Sequence, residues 1–409
     1  MLNNDAYAVI KIKDYRRLIS ARFLFTFATQ MQSVIVGWQI YQLTHDALAL
    51  GMIGLAEAIP YLSITLFAGH LADVVNRKKI ILISNLVYFI CAVFLLIMST
   101  TLHHSLTKFG ATPIFIIIFI TGFARGFLSP ALAAFSAQLI PKELFGNAAT
   151  WSSIMWQTAA VTGPAVGGLI YGFFNVEIAY TVVVIISAAG WFLFSSVKNQ
   201  PMPERTKEEP ILQSMISGLR FVFSNQIILG SISLDMFAVF FGGAVSILPI
   251  FADTILHVGA EGLGLLRAAP AVGAVVMSFI QAHNPPFKNA GKNLFISVVG
   301  FGLCMIAFAL STNFYVVLFI LTLSGVFDNV SVIIRHTIIQ TFTPDEMRGR
   351  VSSINGIFIG SSNELGSFES GVAAKLLGLI PSIIFGGSMT LAVVGATSYV
   401  APKLRNLKM

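Results

Sequence analysis

The chain has 409 residues, of which 56% are hydrophobic and 11% charged, and its mean hydropathy is +0.82. Soluble domains carry about 25% charged residues, so the composition excludes an ordinary soluble domain and points to a polytopic membrane protein, in which each span needs about 20 apolar residues. The net charge of +7 comes from cations spread over loops, which reads as membrane topology and argues against nucleic-acid binding.

The hydropathy pattern predicts an all-α polytopic membrane protein with twelve transmembrane helices, over about 17–42, 48–74, 79–101, 112–140, 145–175, 177–197, 223–253, 260–283, 292–312, 314–341, 348–376 and 379–402. Stretches longer than about twenty residues fit a bilayer by tilting. The basic start (Lys11, Lys13, Arg16, Arg17) leads into a full-length apolar run without a small-residue cleavage site, so no signal peptide is expected. An even number of spans puts both termini on one side. Nineteen of the 25 Lys and Arg lie at the termini or in the loops after helices 2, 4, 6, 8 and 10, whereas the opposite loops hold only Lys108. The remaining five, Arg22, Arg125, Arg267, Arg335 and Lys375, fall within spans. By the positive-inside rule both termini are cytoplasmic. Cys91 and Cys304 sit in apolar helices and read as packing residues, with no disulfide framework and no metal spacing. The adjacent His103 and His104 have no third metal ligand near them in sequence, so no metal site is expected.

Near the middle, residues 198–222 begin with a proline-rich, mixed-charge stretch that reads as a linker. They end in a weakly amphipathic segment carrying Arg220, suited to the membrane surface. This divides the chain into an N-terminal six-helix half, 1–197, and a C-terminal half, 223–409. The halves repeat each other. Gly54 and Pro60 fall on Gly264 and Pro270 at an offset of 210. Pro141, Glu143 and Gly146 fall on Pro344, Glu346 and Gly349 at an offset of 203, and so do Gly122 on Gly325, Gly163 on Gly366 and Gly168 on Gly371.

The loop Gly69-His70-Leu71-Ala72-Asp73-Val74-Val75-Asn76-Arg77-Lys78-Lys79 joins helices 2 and 3. It is too short to cross a bilayer, so its flanking helices form an antiparallel hairpin. Its pattern resembles the signature loop between helices 2 and 3 of the major facilitator superfamily, with Asn76 where a glycine is usual. The run Gly122-Phe123-Ala124-Arg125-Gly126 resembles the helix-4 motif of that family, and Gly163-Pro164-Ala165-Val166-Gly167-Gly168 resembles its helix-5 antiporter signature without the upstream glycines. Read physically, Pro164 removes a backbone donor and the glycines permit close helix approach. Together with residues 262–274 and 141–149, these stretches look like the branch that includes enterobactin exporters and macrolide-efflux proteins. The resemblance implies the major facilitator fold, two pseudo-symmetric six-helix halves. It also implies a link between Arg125 and proton coupling, and a latch formed by Gly69, Asp73, Arg77 and Lys78, with Asp73 meeting 349–353 and Arg77 a neighbour on helix 4 or 10.

A charge at the bilayer centre costs about 2.5–3.5 kcal/mol on insertion scales, so charged residues within spans need partners or a wet cavity. The candidates are Glu57, Asp235 and Glu364, then Glu369, with Arg125, Arg267, Arg335 and His336. Asp328 occupies the position equivalent to Arg125, which predicts either a link between the halves or separate partners within each. Exclusion of water disfavours an ionised carboxylate, the property a proton carrier needs. Trp38, Gln39 and Tyr41, with Gln30 and Gln32, suit the lining of a cavity for a large amphipathic ligand.

No HExxH, GxSxG, P-loop or CxxC pattern is present, so an enzyme and an ATP-driven pump are not expected. The expected function is a proton-coupled exporter of a hydrophobic or amphipathic small molecule, drug- or siderophore-like, in the inner membrane. It would work without a cofactor, as a monomer among membrane lipids. A lysophospholipid flippase of the same fold, an importer, and a non-transporting receptor or scaffold are open alternatives.

Overall fold

The computed structural model describes residues 7–100, 109–201, 211–283, 288–344 and 347–408. Within helices, the side chains at 65–66, 69–70, 72–74, 142, 211–215, 282–283 and 348–349 lie outside the description. The helices are α1 (Lys13–Thr44), α2 (Ala47–Val74), α3 (Arg77–Thr100), α4 (Thr112–Gln138), α5 (Phe145–Phe173), α6 (Val176–Ser195), α7 (Ile211–Ser224), α8 (Gln226–Gly242), α9 (Leu248–Thr254), α10 (Ala260–His283), α11 (Ala290–Leu310), α12 (Phe314–Phe342), α13 (Arg348–Leu377), α14 (Leu379–Val400) and the short α15 (Pro402–Arg405). Among the described residues there is no strand, and nine stretches are long and apolar enough to cross a membrane.

The helix expected over 223–253 is not continuous. Asn225 caps α8, its Oδ1 accepting from the N–H groups of Ile227 and Ile228 at 3.1 and 3.2 Å. The helix then breaks at Gly243, passes through a 3-10 turn at Ala244–Ile247 and restarts as α9, with Pro249 in its first turn. Proline has no N–H to donate to the preceding turn. The opened backbone finds partners on α13: Ser370 donates to the Gly243 carbonyl at 3.2 Å, and Ser246 donates to that of Ser367 at 3.1 Å.

Internal packing divides the chain into two compact units. The first comprises Met1–His45, Ala56–Arg205 and Val258–Ala268. In it α1 packs on α5 and α6, and α3 on α4 and α6. Its core includes Leu18, Ile81, Leu132, Phe135 and Phe194. A buried polar chain runs through the unit: the Tyr180 hydroxyl donates to Gln39 Oε1 at 2.7 Å, and Gln39 Nε2 donates to Ser99 at 3.1 Å. Trp38, Gln39 and Tyr41 are all buried. They pack helices together, which corrects the expectation that they line a ligand cavity. A buried polar group is held where it finds a partner, and Tyr180 is that partner for Gln39.

The second unit comprises Asp46–Leu55, Thr206–His257 and Ala269–Met409. In it α11 packs on α12 and α14, and α8 on α13 and α14. Leu234, Leu294, Ile334, Val394 and Leu404 form its main core. The segment expected at the membrane surface forms α7 and docks on α13. Gly218 sits against Arg350 and Ile354, Arg350 donates to Ser217 at 2.8 Å, and Val222 is fully buried with Ile228 and Val351.

One contact recurs in both units. In the first, a Cβ on Gly122 would lie 2.6 Å from Pro60 Cγ and 2.7 Å from the Glu57 carbonyl. In the second, a Cβ on Gly325 would collide with the Pro270 carbonyl. These are the glycine and proline positions that the internal repeat equates.

Candidate functional site

Glycine at 122 lets α4 approach α2 to backbone distance, and this positions the first charge pair. Arg125 lies one turn after Gly122, on the same face of α4. Its Nη1 meets Glu57 Oε1 at 2.5 Å. The guanidinium also lies 5.0 Å from the centre of the Tyr61 ring, a cation–π placement. Tyr61 was not singled out by sequence, although it follows Glu57 by four residues and so shares its helix face. Two further arginines in this unit meet hydroxyls: Arg267 Nη1 donates to Ser33 at 2.9 Å and Arg22 Nη1 to Ser152 at 2.6 Å. Neither serine carried a signal in the sequence, since one hydroxyl on a long apolar helix has no spacing to betray it.

In the second unit, Arg335 Nη2 meets Asp235 Oδ1 at 2.7 Å, with both side chains buried. Asp328 lies within electrostatic reach of both. Arg125 meets Glu57 within the first unit, and Asp328 lies near Arg335 and Asp235 within the second. His336 and Gln340, a turn apart on α12, are 3.2 Å from each other. Glu364 and Glu369 lie partly buried on α13. The carbonyl of Glu364 crowds Gly54, and Gly51 meets Gly371 backbone to backbone. At the start of α2, Asp46 Oδ2 accepts from Lys375 Nζ at 2.8 Å. That bond, assisted by the Leu48 N–H, holds the Asp46 carboxyl below the ordinary carboxylate range.

The loop between α2 and α3 is tied down by its polar residues. Lys78 Nζ donates to the carbonyls of Ser195 and Val197 at 2.7 and 2.6 Å, capping the end of α6. Arg77 donates to the Ala134 carbonyl on α4 at 3.4 Å. Asn76 bonds to Asn199 at 2.8 Å, and its Oδ1 accepts from the Lys79 N–H at 3.2 Å. The side chain of Asp73, the site of Gly69 and the contact expected with 349–353 lie outside the described residues, as do His103, His104 and Lys108.

The helix-5 run packs on two sides. Gly163 sits against Gln30 and Phe27, and Gly167 against Met31, all on α1. Gly168 meets Ala260 and Gly264 at the start of α10, while Pro164 is buried within the helix. Among the described residues no group of three or more His, Cys, Asp or Glu side chains is placed to hold a metal ion.

Comparison with known proteins adds the decisive observation. The family described as transmembrane secretion effector matches residues 4–408, nearly the whole chain. The chain belongs to that family, within the major facilitator superfamily. A transmembrane secretion effector is a transporter, not an enzyme. Among its relatives is an enterobactin exporter from Shigella dysenteriae serotype 1, 26% identical over 398 residues, which are 93% of this chain and 92% of that protein. In fold it is similar to a crystal structure of the peptide transporter POT, with a TM-score of 0.77, 12% identity and coverage of 97% of this chain and 96% of that one. It is also similar to the nucleoside transporter NupG, with a TM-score of 0.74, 13% identity and coverage of 95% and 100%. The chain is thus a multi-pass membrane transporter of small molecules, of the kind found in bacterial inner membranes.

Proposed function

We propose that this chain is a proton-coupled exporter of a hydrophobic or amphipathic small molecule, drug- or siderophore-like, working by alternating access. Its twelve helical stretches act as two six-helix halves, 1–197 and 223–409, joined by 198–222, with both termini cytoplasmic. The observation that carries the reading is the Glu57–Arg125 pair, a carboxylate and a guanidinium in contact between two apolar helices. Charged side chains within membrane spans are costly and mark substrate or proton pathways, which supports a role in transport for this pair. The kinship with enterobactin exporters supports export and the substrate class.

Glu57 and Arg125 are each partly open to solvent, with side-chain exposures of 25% and 39%, against 7% and 6% for Asp235 and Arg335. Proton exchange needs contact with water, so Glu57 is the first carrier and Asp235 the second. A proton arriving on Glu57 removes its charge and weakens its hold on Arg125, which keeps its contact with the Tyr61 ring. The partner of Arg125 is thus present in one protonation state and lost in the other, and substrate binding biases the same equilibrium. Glu364, Arg267 and Asp328 complete the set of charges available to substrate or proton. Gly69, Asp73, Arg77 and Lys78 form the latch, and Gly163, Pro164, Gly167 and Gly168 the antiporter-like, close-packing segment of the fifth span.

The test uses purified protein in liposomes enclosing a pH-sensitive dye, under an imposed proton gradient. Siderophores, macrolides, cationic dyes and lysolipids are added one at a time. A proton flux that depends on one of these ligands and disappears in Glu57→Gln is expected. Flux unchanged in both Glu57→Gln and Asp235→Asn would sink the assignment of the carrier, and substrate movement without any proton flux would sink the coupling.

A further inference from the structure

The second unit contains a groove of about 950 Å3 that no transport step uses. Its walls are the first turns of α11, the last turns of α14 and the tail after Ala401. Phe295 and Val394 are buried in its floor, with Val299 beside them. Three cations stand at the rim: Lys292, Arg405 and Lys408, all exposed. Among the described residues no carboxylate lines the groove, and none of the three cations has an ion-pair partner.

The cations are held by a built wall. The Gly291 N–H donates to the Leu407 carbonyl at 3.0 Å, and Leu404 is fully buried. A Cβ on Gly291 would collide with the Leu404 carbonyl, so only glycine lets the tail lie this close to α11. The start of α11 adds the positive end of a helix dipole next to Lys292.

α11 and α14 are both long and apolar enough to cross a membrane, and the groove lies where both end. There the solvent changes from hydrocarbon to water. The groove matches that change, apolar along the helices and cationic at the rim. Basic pockets between membrane helices recognise anionic head groups, and a volume near the upper end of small-molecule clefts, about 300–1,000 Å3, has room for a chain as well as a head group. We propose that this groove binds one anionic diacyl phospholipid, its phosphate held by Lys292, Arg405 and Lys408 and an acyl chain laid along Phe295, Val299 and Val394.

The site can be tested without any transport assay. The full chain in detergent is titrated with phosphatidylglycerol, with phosphatidylethanolamine of the same acyl chains, and with inorganic phosphate, and occupancy is read by native mass spectrometry. Preferential retention of one phosphatidylglycerol is expected. The combined change Lys292→Gln, Arg405→Gln and Lys408→Gln should weaken it by on the order of 100-fold, since each cation near an anionic surface contributes about a factor of five. Gly395→Leu tests the apolar part separately. A Cβ there meets nothing within 4 Å, so the larger side chain fills the groove without disturbing α14, and it should reduce lipid retention alone. Equal retention of phosphatidylethanolamine, equal binding of inorganic phosphate, or phosphatidylglycerol retained unchanged in both variants would each overturn the proposal.

Discussion

Asp46 shows how a single exposed pair responds to acid. Its carboxyl is held below the ordinary range chiefly by the hydrogen bond from Lys375. The folded protein therefore binds the proton less readily than the unfolded chain, in which an Asp titrates near about 3.9. The pair stabilises the fold fully above that value, and the stabilisation is lost as pH falls through the lower folded value. Lys375→Gln should remove this dependence. Melting temperatures measured from pH 7 downward should show a constant advantage of the parent over Lys375→Gln until about pH 4, and a shrinking one below it. An advantage that instead faded between pH 7 and 5 would mean another group controls the contact. Screening by water keeps the effect small, because Lys375 and Asp46 are 52% and 32% exposed.

Between elements, glycine decides where helices touch and so which charges meet. Gly122→Leu drives a side chain into Pro60 and the Glu57 carbonyl, forcing α4 away from α2 and Arg125 from Glu57. Overpacking of this kind costs about 1–3 kcal/mol. A lowered melting temperature together with lost transport is expected. Gly356→Ala, where a Cβ has open space, should leave both unchanged or slightly raise stability. The positions of the helices and of the α2–α3 loop were legible because a run of apolar residues and a cluster of cations are local signals. The internal repeat equated the positions on each side of the glycine–proline contact, but the contact itself was not legible. Nor was the pairing of the charges. Glu57 and Arg125 are 68 residues apart, and which carboxylate an arginine meets depends on helix rotation. The break at Gly243 was hidden because the apolar run continues through it. The burial of Trp38, Gln39 and Tyr41 was hidden because polar and apolar residues are spread around α1 with no one-sided pattern to reveal which face meets protein.

For the whole molecule, the distribution of cations makes a topological claim that labelling can test. In a background lacking Cys91 and Cys304, Thr312→Cys between α11 and α12 should react with an impermeant maleimide on intact cells, and Lys403→Cys only after lysis. The reverse pattern would invert the orientation of the chain. The caps formed by Lys78 add a dimension of time to that orientation. The lysine leaves the ribosome with the basic loop, but the carbonyl of Ser195 follows 117 residues later. At about 5–20 residues per second, that is an interval of roughly 6–23 s. On the proposed orientation, Lys78 is during that interval a hydrated charge that restrains the loop from crossing. Only when the sixth helix is complete does it become a structural ligand. On that orientation one side chain would serve two stages of biogenesis in turn, first helping to set the direction of insertion and then closing the bundle that results.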